Sequence, residues 1–160
     1  MSEDHPDPRC IVADVDVLVA DLFIGKASRE ALDILRAHDW LTLIATDELI
    51  TEATVIIEEL SSAELASQWE SRFRREAVVV EPVLQGNAAL VAAAAGNAAT
   101  VLSLDERLQS SAAGTAIRSH LATSVKSPHA FNRLLDPEQY YVATGGEPGG
   151  YTGPDRDPRR

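Results

Sequence analysis

The chain has 160 residues, the size of one domain, and its 45% hydrophobic and 24% charged residues exclude a disordered or membrane-like composition. Its 25 acidic and 14 basic residues give a formal net charge of -11, which disfavours a protein that coats nucleic acid by general electrostatic attraction. The single cysteine, Cys10, excludes an internal disulfide, and the four histidines have no zinc-like spacing.

The basic residues are almost all arginine, since Lys26 and Lys126 are the only lysines. An acidic, lysine-poor surface is typical of proteins from a salt-rich cytoplasm, where high ionic strength screens long-range repulsion. No apolar run approaches the roughly eighteen residues that span a bilayer, and the N-terminus lacks the features of a signal peptide. We therefore expect a cytoplasmic, halophilic protein without a membrane segment.

Strands and helices alternate along the chain. Short apolar segments rich in β-branched residues predict strands, and segments with apolar residues at helical spacing predict helices. In chain order we predict strand 10–15, helix 28–39, strand 41–46, helix 47–60, a helix starting at Ser61, strand 77–83, helix 87–95, strand 100–104, helix 105–112, strand 123–127 and helix 127–136. Strands that are apolar on both sides predict a three-layer α/β/α sandwich with a central parallel sheet of about five strands.

Three of these helices have a serine in position to act as N-cap. Ser28 precedes the first helix, Ser61 forms a capping box with Glu64, and Ser127 stands directly before Pro128. Each cap fixes the start of its helix in the prediction.

The two ends of the chain differ in composition from the middle. Residues 1–9 are polar with two prolines, and residues 137–160 are dense in glycine, proline and charge. Neither segment carries enough apolar side chains to fold by itself. We expect flexible tails on either side of one domain of residues 10–136.

Carboxylates follow the predicted strands. Asp14 and Asp16 end the first strand, and Asp105 follows the fourth. In an open α/β sheet the ligand crevice lies outside the carboxyl ends of the strands, so these acids should converge there. Converging carboxylates need a compensating cation, and oxygen ligands without paired His or Cys favour Mg²⁺ or Mn²⁺. Such a site indicates hydrolysis of a phosphodiester or a phosphomonoester.

Other charged residues have a structural interpretation beside the functional one. Asp16 and Asp105 could also cap helices, and Asp21 is expected to be exposed on a helix. Glu52 shares a polar stripe with Glu48, which is typical of a solvated face. A basic cluster near the end of one helix could contact RNA phosphates, or could simply suit the helix dipole: Arg72, Arg74 and Arg75.

Four segments in order resemble PIN-domain nucleases over nearly all of residues 10–136. "VADVDVLVADL" is similar to the opening strand and helix of that family, and "IATDELITEATVIIEEL" to the segment that carries its glutamate. "ATVLSLDERL" is similar to the fourth strand with its terminal Asp, and "VKSPHAFNRLL" to the closing helix. The residues that match are Asp14, Asp16, Glu52 with Glu48 as the alternative register, Asp105, Ser127, Pro128 and Phe131.

The resemblance implies a PIN-like α/β/α fold and a metal-dependent endoribonuclease, as in the toxins of toxin–antitoxin pairs. It implies Asp14, Glu52 and Asp105 as catalytic residues and Asp14, Asp105 and Asp16 as ligands of Mg²⁺ or Mn²⁺. Accessory roles are implied for Asn97, Ser127 and Glu48. Expected partners are an RNA substrate, an antitoxin-like protein and a second copy of the chain in a homodimer.

One departure from the family pattern opens a non-enzymatic alternative. PIN domains commonly carry one more acid before the fourth strand, and this chain has Asn97 and Asn87 there, with Ala99 in another register. Asparagine adds no charge, so a PIN-like domain with weakened catalysis that binds RNA or protein is an alternative.

A second alternative is a haloacid-dehalogenase-like phosphatase, because "DVDVL" also resembles the opening motif of that family. In that resemblance Asp14 would be the nucleophile and Asp16 the acid/base. Lys126 would match the lysine of the family's pattern, and Asp105 with Glu106 would be the metal ligands. That family places a flap after the first strand, whereas residues 18–35 predict helix throughout. The phosphatase also leaves Glu52 unexplained, so the nuclease is favoured.

Overall fold

A computed structural model describes residues 6–83, 85–109 and 123–158 of the chain. In chain order its elements are β1 (Asp7–Ala13), α1 (Val15–Phe23), α2 (Lys26–Ala37), β2 (Thr42–Ala45), α3 (Asp47–Leu60), α4 (Ala63–Glu76), β3 (Ala77–Val79), α5 (Ala88–Gly96), β4 (Ala98–Leu102), α6 (Glu106–Gln109), β5 (Ser124–Lys126), α7 (Pro128–Leu134) and α8 (Pro137–Ala143).

The five strands form one sheet in the order β3-β2-β1-β4-β5, and every neighbouring pair is parallel. At the centre, Val12 of β1 is in register with Ile44 of β2 on one side and with Val101 of β4 on the other. Helices flank the sheet in a three-layer α/β/α arrangement, so the predicted fold class is confirmed.

The strands lie in the middle of the core because their side chains are apolar on both faces. Ile11, Val12 and Val101 are fully buried. Helix α5 packs against β1, β2 and β4 through alanines, and a Cβ at Gly96 would collide with the side chain of Ile44. The small residues of this helix therefore allow it to lie close to the sheet.

The segment between β1 and β2 contains two helices, and the first starts directly after the strand. Chain direction changes at Gly25, whose φ of 83° is accessible mainly to glycine. The predicted N-cap at Ser28 is wrong, because α2 already starts at Lys26 and Ser28 is buried inside it. The continuous helix predicted for residues 18–35 is also wrong, because α1 ends at Phe23 and α2 begins at Lys26, after the turn at Gly25.

Two other predicted caps differ in outcome. Ser61 ends α3, and Ser62 caps α4 by accepting a hydrogen bond from the backbone N–H of Leu65 at 3.0 Å. The predicted capping box of Ser61 with Glu64 is therefore wrong, because three residues after the observed N-cap stands Leu65, whose side chain cannot bond back to it. Ser127 is confirmed as the N-cap of α7, with Pro128 in its first turn.

Several strand boundaries also shift. β1 extends back to Asp7, and β3 ends at Val79, where the prediction ran to residue 83. β4 occupies Ala98–Leu102, where the prediction gave 100–104. The helix predicted at 105–112 is observed as Glu106–Gln109, and residues 110–112 lie outside the described part of the chain.

The segment after residue 136 packs against the domain, so the prediction of a tail from residue 137 is wrong for the described residues. The rings of Tyr141 and Tyr151 pack against Trp40, and the Tyr151 hydroxyl lies 2.8 Å from His38 Nε2. The Arg9 guanidinium stacks over Trp40 at 5.1 Å, which ties β1 to the same cluster. Aromatic contacts that are distant in sequence replace the local apolar pattern that the segment lacks.

Further along this segment, the backbone N–H of Asp155 donates to the carbonyl of Ala37 at 2.7 Å, at the end of α2. The Arg156 side chain donates to the neighbouring carbonyl of Arg36. These donors satisfy carbonyls that the helix end leaves without an intrahelical partner.

None of the described helices is long and apolar enough to cross a membrane.

Candidate functional site

The candidate site lies between the carboxyl ends of β1 and β4. These strands are neighbours at the centre of the sheet, and the chain leaves β1 towards β2 and β4 towards β5, in opposite directions. Such a reversal opens a crevice at the sheet edge, which is where ligands bind in open α/β folds. Asp14 follows β1, and Ser103 and Asp105 follow β4, so both segments end in this crevice.

Asp14 is held from two directions. It is the N-cap of α1, and its Oδ1 accepts a hydrogen bond from the backbone N–H of Val15 at 2.8 Å. Its Oδ2 accepts a hydrogen bond from Ser103 Oγ, also at 2.8 Å. The same Ser103 Oγ accepts from the backbone N–H of Asp105 at 3.0 Å. One hydroxyl therefore links the two segments that carry the acids.

Ser103 was not among the residues predicted from the sequence. It is fully buried, although it follows a strand and lies beside an exposed residue, Leu104. A hydroxyl between a buried strand and an acid was the available signal, because a buried hydroxyl needs hydrogen-bond partners. It serves as a positioning residue for Asp14.

Asp16 lies in the first turn of α1 and reaches the β4 side of the crevice. Its Oδ2 accepts a hydrogen bond from the backbone N–H of Leu104 at 3.1 Å. Its Oδ1 is buried and has no hydrogen-bond partner among the described residues. Burial first, and then the negative charges of Asp14 and Asp105, raise the pKa of Asp16 to about 6, although two backbone N–H groups oppose this. Asp16 therefore contacts the segment after β4, to which Ser103 also joins Asp14, and we call Asp14, Asp16 and Asp105 the acidic cluster.

Asp105 is in the opposite electrostatic condition. Its Oδ1 accepts from the backbone N–H of Arg107 at 2.9 Å, and this bond, with the Arg107 side chain, lowers the pKa of the carboxyl group. Asp105 is therefore fully ionised at neutral pH. The predicted helix-capping role agrees with these contacts, and the place of the carboxylate beside Asp14 stays a prediction.

Glu52 approaches the cluster from α3. Partial burial and the charges of Glu48 and Asp14 raise the pKa of Glu52. Glu48 lies one turn earlier on the same helix, which explains its effect. Glu52 and Glu48 are both exposed, as the interpretation of a solvated face predicts, and the charge of Asp14 still contributes to the raised pKa of Glu52.

The cluster carries negative charge without a matching cation from the chain. Among the described residues, Asp105 forms an ion pair with the exposed Arg107. No ion pair within the described part of the chain involves the other acids, Asp14, Asp16, Glu48 and Glu52. All the candidate ligand atoms are oxygens, which hard divalent cations prefer. Asp16 Oδ1 is also buried and receives no hydrogen bond from the described residues, so these side chains fit such a cation. Within the same described part of the chain, no three Asp, Glu, His or Cys side chains already stand in a metal-holding group.

The structure does not bring Asn97, one of the predicted accessory residues, to the crevice. It ends α5 with a left-handed backbone and precedes β4, and its carbonyl accepts from the N–H of Asp7 at the start of β1. It therefore lies at the amino edge of the sheet, about 15 Å of strand away from the crevice. Ser127 is at the correct edge, but its hydroxyl is used as the cap of α7.

Asp21 corrects another prediction, since we expected it to be exposed. It is 6% exposed, and both of its carboxylate oxygens pair with Arg36, at 2.7 Å and 3.1 Å. Asp21 and Arg36 therefore form a buried ion pair that belongs to the structure of the fold.

The three arginines proposed for RNA contact lie elsewhere. Arg74 is held in ion pairs with Asp47 at 2.7 Å and with Glu70 at 3.0 Å. Arg72 and Arg75 line a cavity that contains none of the acids of the candidate site. The structure does not bring these side chains to the acidic cluster.

The chain matches no curated protein and no solved structure. A family model does match, over residues 5–159, and the match includes the C-terminal segment that packs on Trp40. The chain therefore belongs to the Family of unknown function (DUF7384).

Proposed function

We propose that this protein is a metal-dependent endoribonuclease with PIN-like chemistry, which hydrolyses RNA phosphodiester bonds at the acidic cluster. The observation that carries the proposal is the convergence of Asp14, Asp16 and Asp105 at the crevice between β1 and β4. An acidic protein that collects further negative charge in one crevice, without a matching cation from its own chain, favours a divalent ion there.

The proposed ligands are Asp14 and Asp105, with Asp16 assisting. A bound Mg²⁺ or Mn²⁺ would supply an activated water and neutralise the charge that develops on the leaving oxygen. Ser103 holds Asp14 Oδ2 by its hydrogen bond, which fixes the direction of the carboxylate. Leu104 does the same for one oxygen of Asp16 and leaves the other oxygen without a donor.

Two side chains are suited to proton transfer. Without a bound cation, the carboxyl of Asp16 has a pKa of about 6 and exchanges its proton readily near neutral pH. Glu52 is exposed on α3, and its pKa is raised by partial burial and by the charges of Glu48 and Asp14, so it can accept a proton from the attacking water. We propose Glu52 as the general base and Asp16 as the residue that buffers charge near Asp14.

The phosphatase alternative has one supporting observation and one against it. Lys126 is in register with Leu102, so it ends β5 at the same edge as the cluster. However, Asp14 is itself the N-cap of α1, and the helix follows with no segment for a flap. This continuity favours the nuclease.

A domain with weakened catalysis that binds RNA or protein is the second candidate. Its support is the lack of three metal-holding side chains already grouped among the described residues, together with the position of Asn97 away from the crevice. Toxin-like action, an antitoxin-like partner and a homodimer stay predictions from the resemblance.

The test compares RNA cleavage with phosphomonoester hydrolysis. The full chain is incubated at high salt with Mn²⁺ and either a structured RNA or p-nitrophenyl phosphate. Asp14→Asn keeps a good N-cap for α1 and removes one charge, so it separates chemistry from folding. Exposed Glu138→Gln on α8 is the control.

We expect RNA cleavage in the wild-type and control proteins, reduced about 1000-fold by Asp14→Asn, a typical cost for a group that stabilises transition-state charge. Turnover of the monoester alone would support the phosphatase instead. Binding of RNA without cleavage would support the weakened domain.

A further inference from the structure

A second concave site lies at the amino end of β2, apart from the acidic cluster. It is a cavity of about 430 Å³ between the end of α2, the end of α4 and the C-terminal segment around Pro158. Its volume is within the range of cavities that hold small molecules, about 300–1000 Å³. The site is thus large enough for a ligand of nucleotide size.

The cavity combines an apolar lining with a basic one. Leu35, Leu41 and Leu43 line it, and each is less than 5% exposed overall. Four arginines line the same cavity from three separate segments, Arg36, Arg72, Arg75 and Arg156, together with two acids, Glu76 and Asp157. Four guanidinium groups around one cavity are unexpected in a chain with a net charge of -11.

Not all of these charges are available to a ligand. Arg36 is committed to Asp21 at 2.7 Å and to Glu76 at 3.1 Å. Arg72 is 3.7 Å from Glu76 and donates to the carbonyl of Pro158 at 3.2 Å, which places it at the rim. One carboxylate, Glu76, thus serves two arginines.

The remaining two arginines have no carboxylate partner among the described residues. Arg75 is exposed near the end of α4 and forms no ion pair there. Arg156 uses its Nε to hold the carbonyl of Arg36, so its position is fixed by the chain while its charge is not neutralised by a described acid. With four arginines against the two acids Glu76 and Asp157, the lining of the cavity has a net positive charge.

We propose that this cavity binds a nucleotide-sized phosphate monoester, with the phosphate at Arg75 and Arg156 and the organic part against the leucines. Guanidinium groups bind phosphate oxygens through paired, charge-assisted hydrogen bonds. Groups that surround a concave site suit a compact anion better than an extended backbone.

The test uses isothermal titration of the full chain with AMP, adenosine and inorganic phosphate, in EDTA so that no metal bridges the ligand to the acidic cluster. The variant is Arg75→Gln. The matched control is Arg74→Gln, the next residue on the same helix, which pairs with Asp47 and Glu70 and does not line the cavity.

We expect AMP to bind the wild-type protein and the Arg74→Gln control with equal affinity, and Arg75→Gln to weaken binding at least about tenfold. Phosphate and adenosine should each bind more weakly than AMP, because each fills one part of the cavity. Equal AMP binding by Arg75→Gln, loss of binding in Asp14→Asn, or binding of an RNA oligonucleotide but not of AMP would each overturn the proposal.

Discussion

Asp16 and Asp21 lie on the same helix, α1, and meet opposite conditions. Asp21 is buried and pairs through both oxygens with Arg36, so the chain supplies the cation it needs. Asp16 has one oxygen on the N–H of Leu104 and a second, buried oxygen with no partner among the described residues. The comparison teaches that the paired carboxylate stabilises the fold, whereas the unpaired one lowers its stability and is better explained by a ligand.

The first prediction tests the paired side of this comparison. We expect Asp21→Asn to lower the free energy of unfolding by about 3 kcal/mol, because Arg36 would lose its nearest carboxylate while remaining buried. Urea unfolding followed by circular dichroism measures the change. Glu70→Gln, which breaks an exposed pair with Arg74, should cost less than about 1 kcal/mol. Equal losses in the two variants would contradict the structural role of Asp21.

The second prediction concerns the proposed general base. Glu52→Gln should lower the rate of RNA cleavage about 100-fold, because a neutral amide cannot accept the proton of the attacking water. The control is Glu58→Gln, an exposed change on the same helix whose rate should match the wild type. Unchanged cleavage in Glu52→Gln would remove this residue from the mechanism.

The third prediction uses the pH dependence of Asp16 in metal-free protein. Its pKa is raised from 3.8 to about 6, so the folded protein holds this proton more tightly than the unfolded chain does. The contribution of Asp16 to stability is therefore present at low pH and is lost as pH rises through the folded pKa.

Because this carboxyl group is only partly buried, solvent reduces the cost of its charge. We expect Asp16→Asn to be about 1–2 kcal/mol more stable than the wild type at pH of about 7, and about equal to it at pH of about 4. Urea unfolding in EDTA at the two pH values checks this. A variant less stable than the wild type at the higher pH would contradict the assignment.

The fourth prediction concerns the residue that joins the two sides of the crevice. Ser103→Ala removes the donor to Asp14 and the acceptor for the N–H of Asp105, and should lower the free energy of unfolding by about 1–2 kcal/mol. Cleavage should also decrease, since Asp14 loses its orientation. The exposed change Ser67→Ala should alter neither quantity, and the same result for Ser103→Ala would show that Asp14 is held without it.

The centre of the fold was predictable because its signals are local. A buried strand followed by an acid gave Asp14, and the same pattern after β4 gave Asp105. The serine–proline pair at Ser127 gave the start of α7 because an N-cap depends on its immediate neighbours.

The errors come from contacts between distant residues. Burial of Asp21 depends on Arg36, which is on the next helix, and nothing in the sequence around Asp21 signals that pairing. The place of Asn97 depends on where β4 begins relative to β1, which is a question of register. The C-terminal segment has the composition of a flexible tail, yet it packs on the domain because Tyr151 contacts His38 and Trp40, which are distant in sequence.

The measurement that tests the central claim most directly is isothermal titration of metal-free protein with Mn²⁺. We predict one Mn²⁺ ion bound per chain in the wild type and in Glu138→Gln, and loss of that binding in Asp14→Asn, which keeps the cap of α1 but removes its charge. Mn²⁺ binding of equal strength in Asp14→Asn, or no binding by the wild-type protein, would contradict a metal site at the carboxyl ends of β1 and β4.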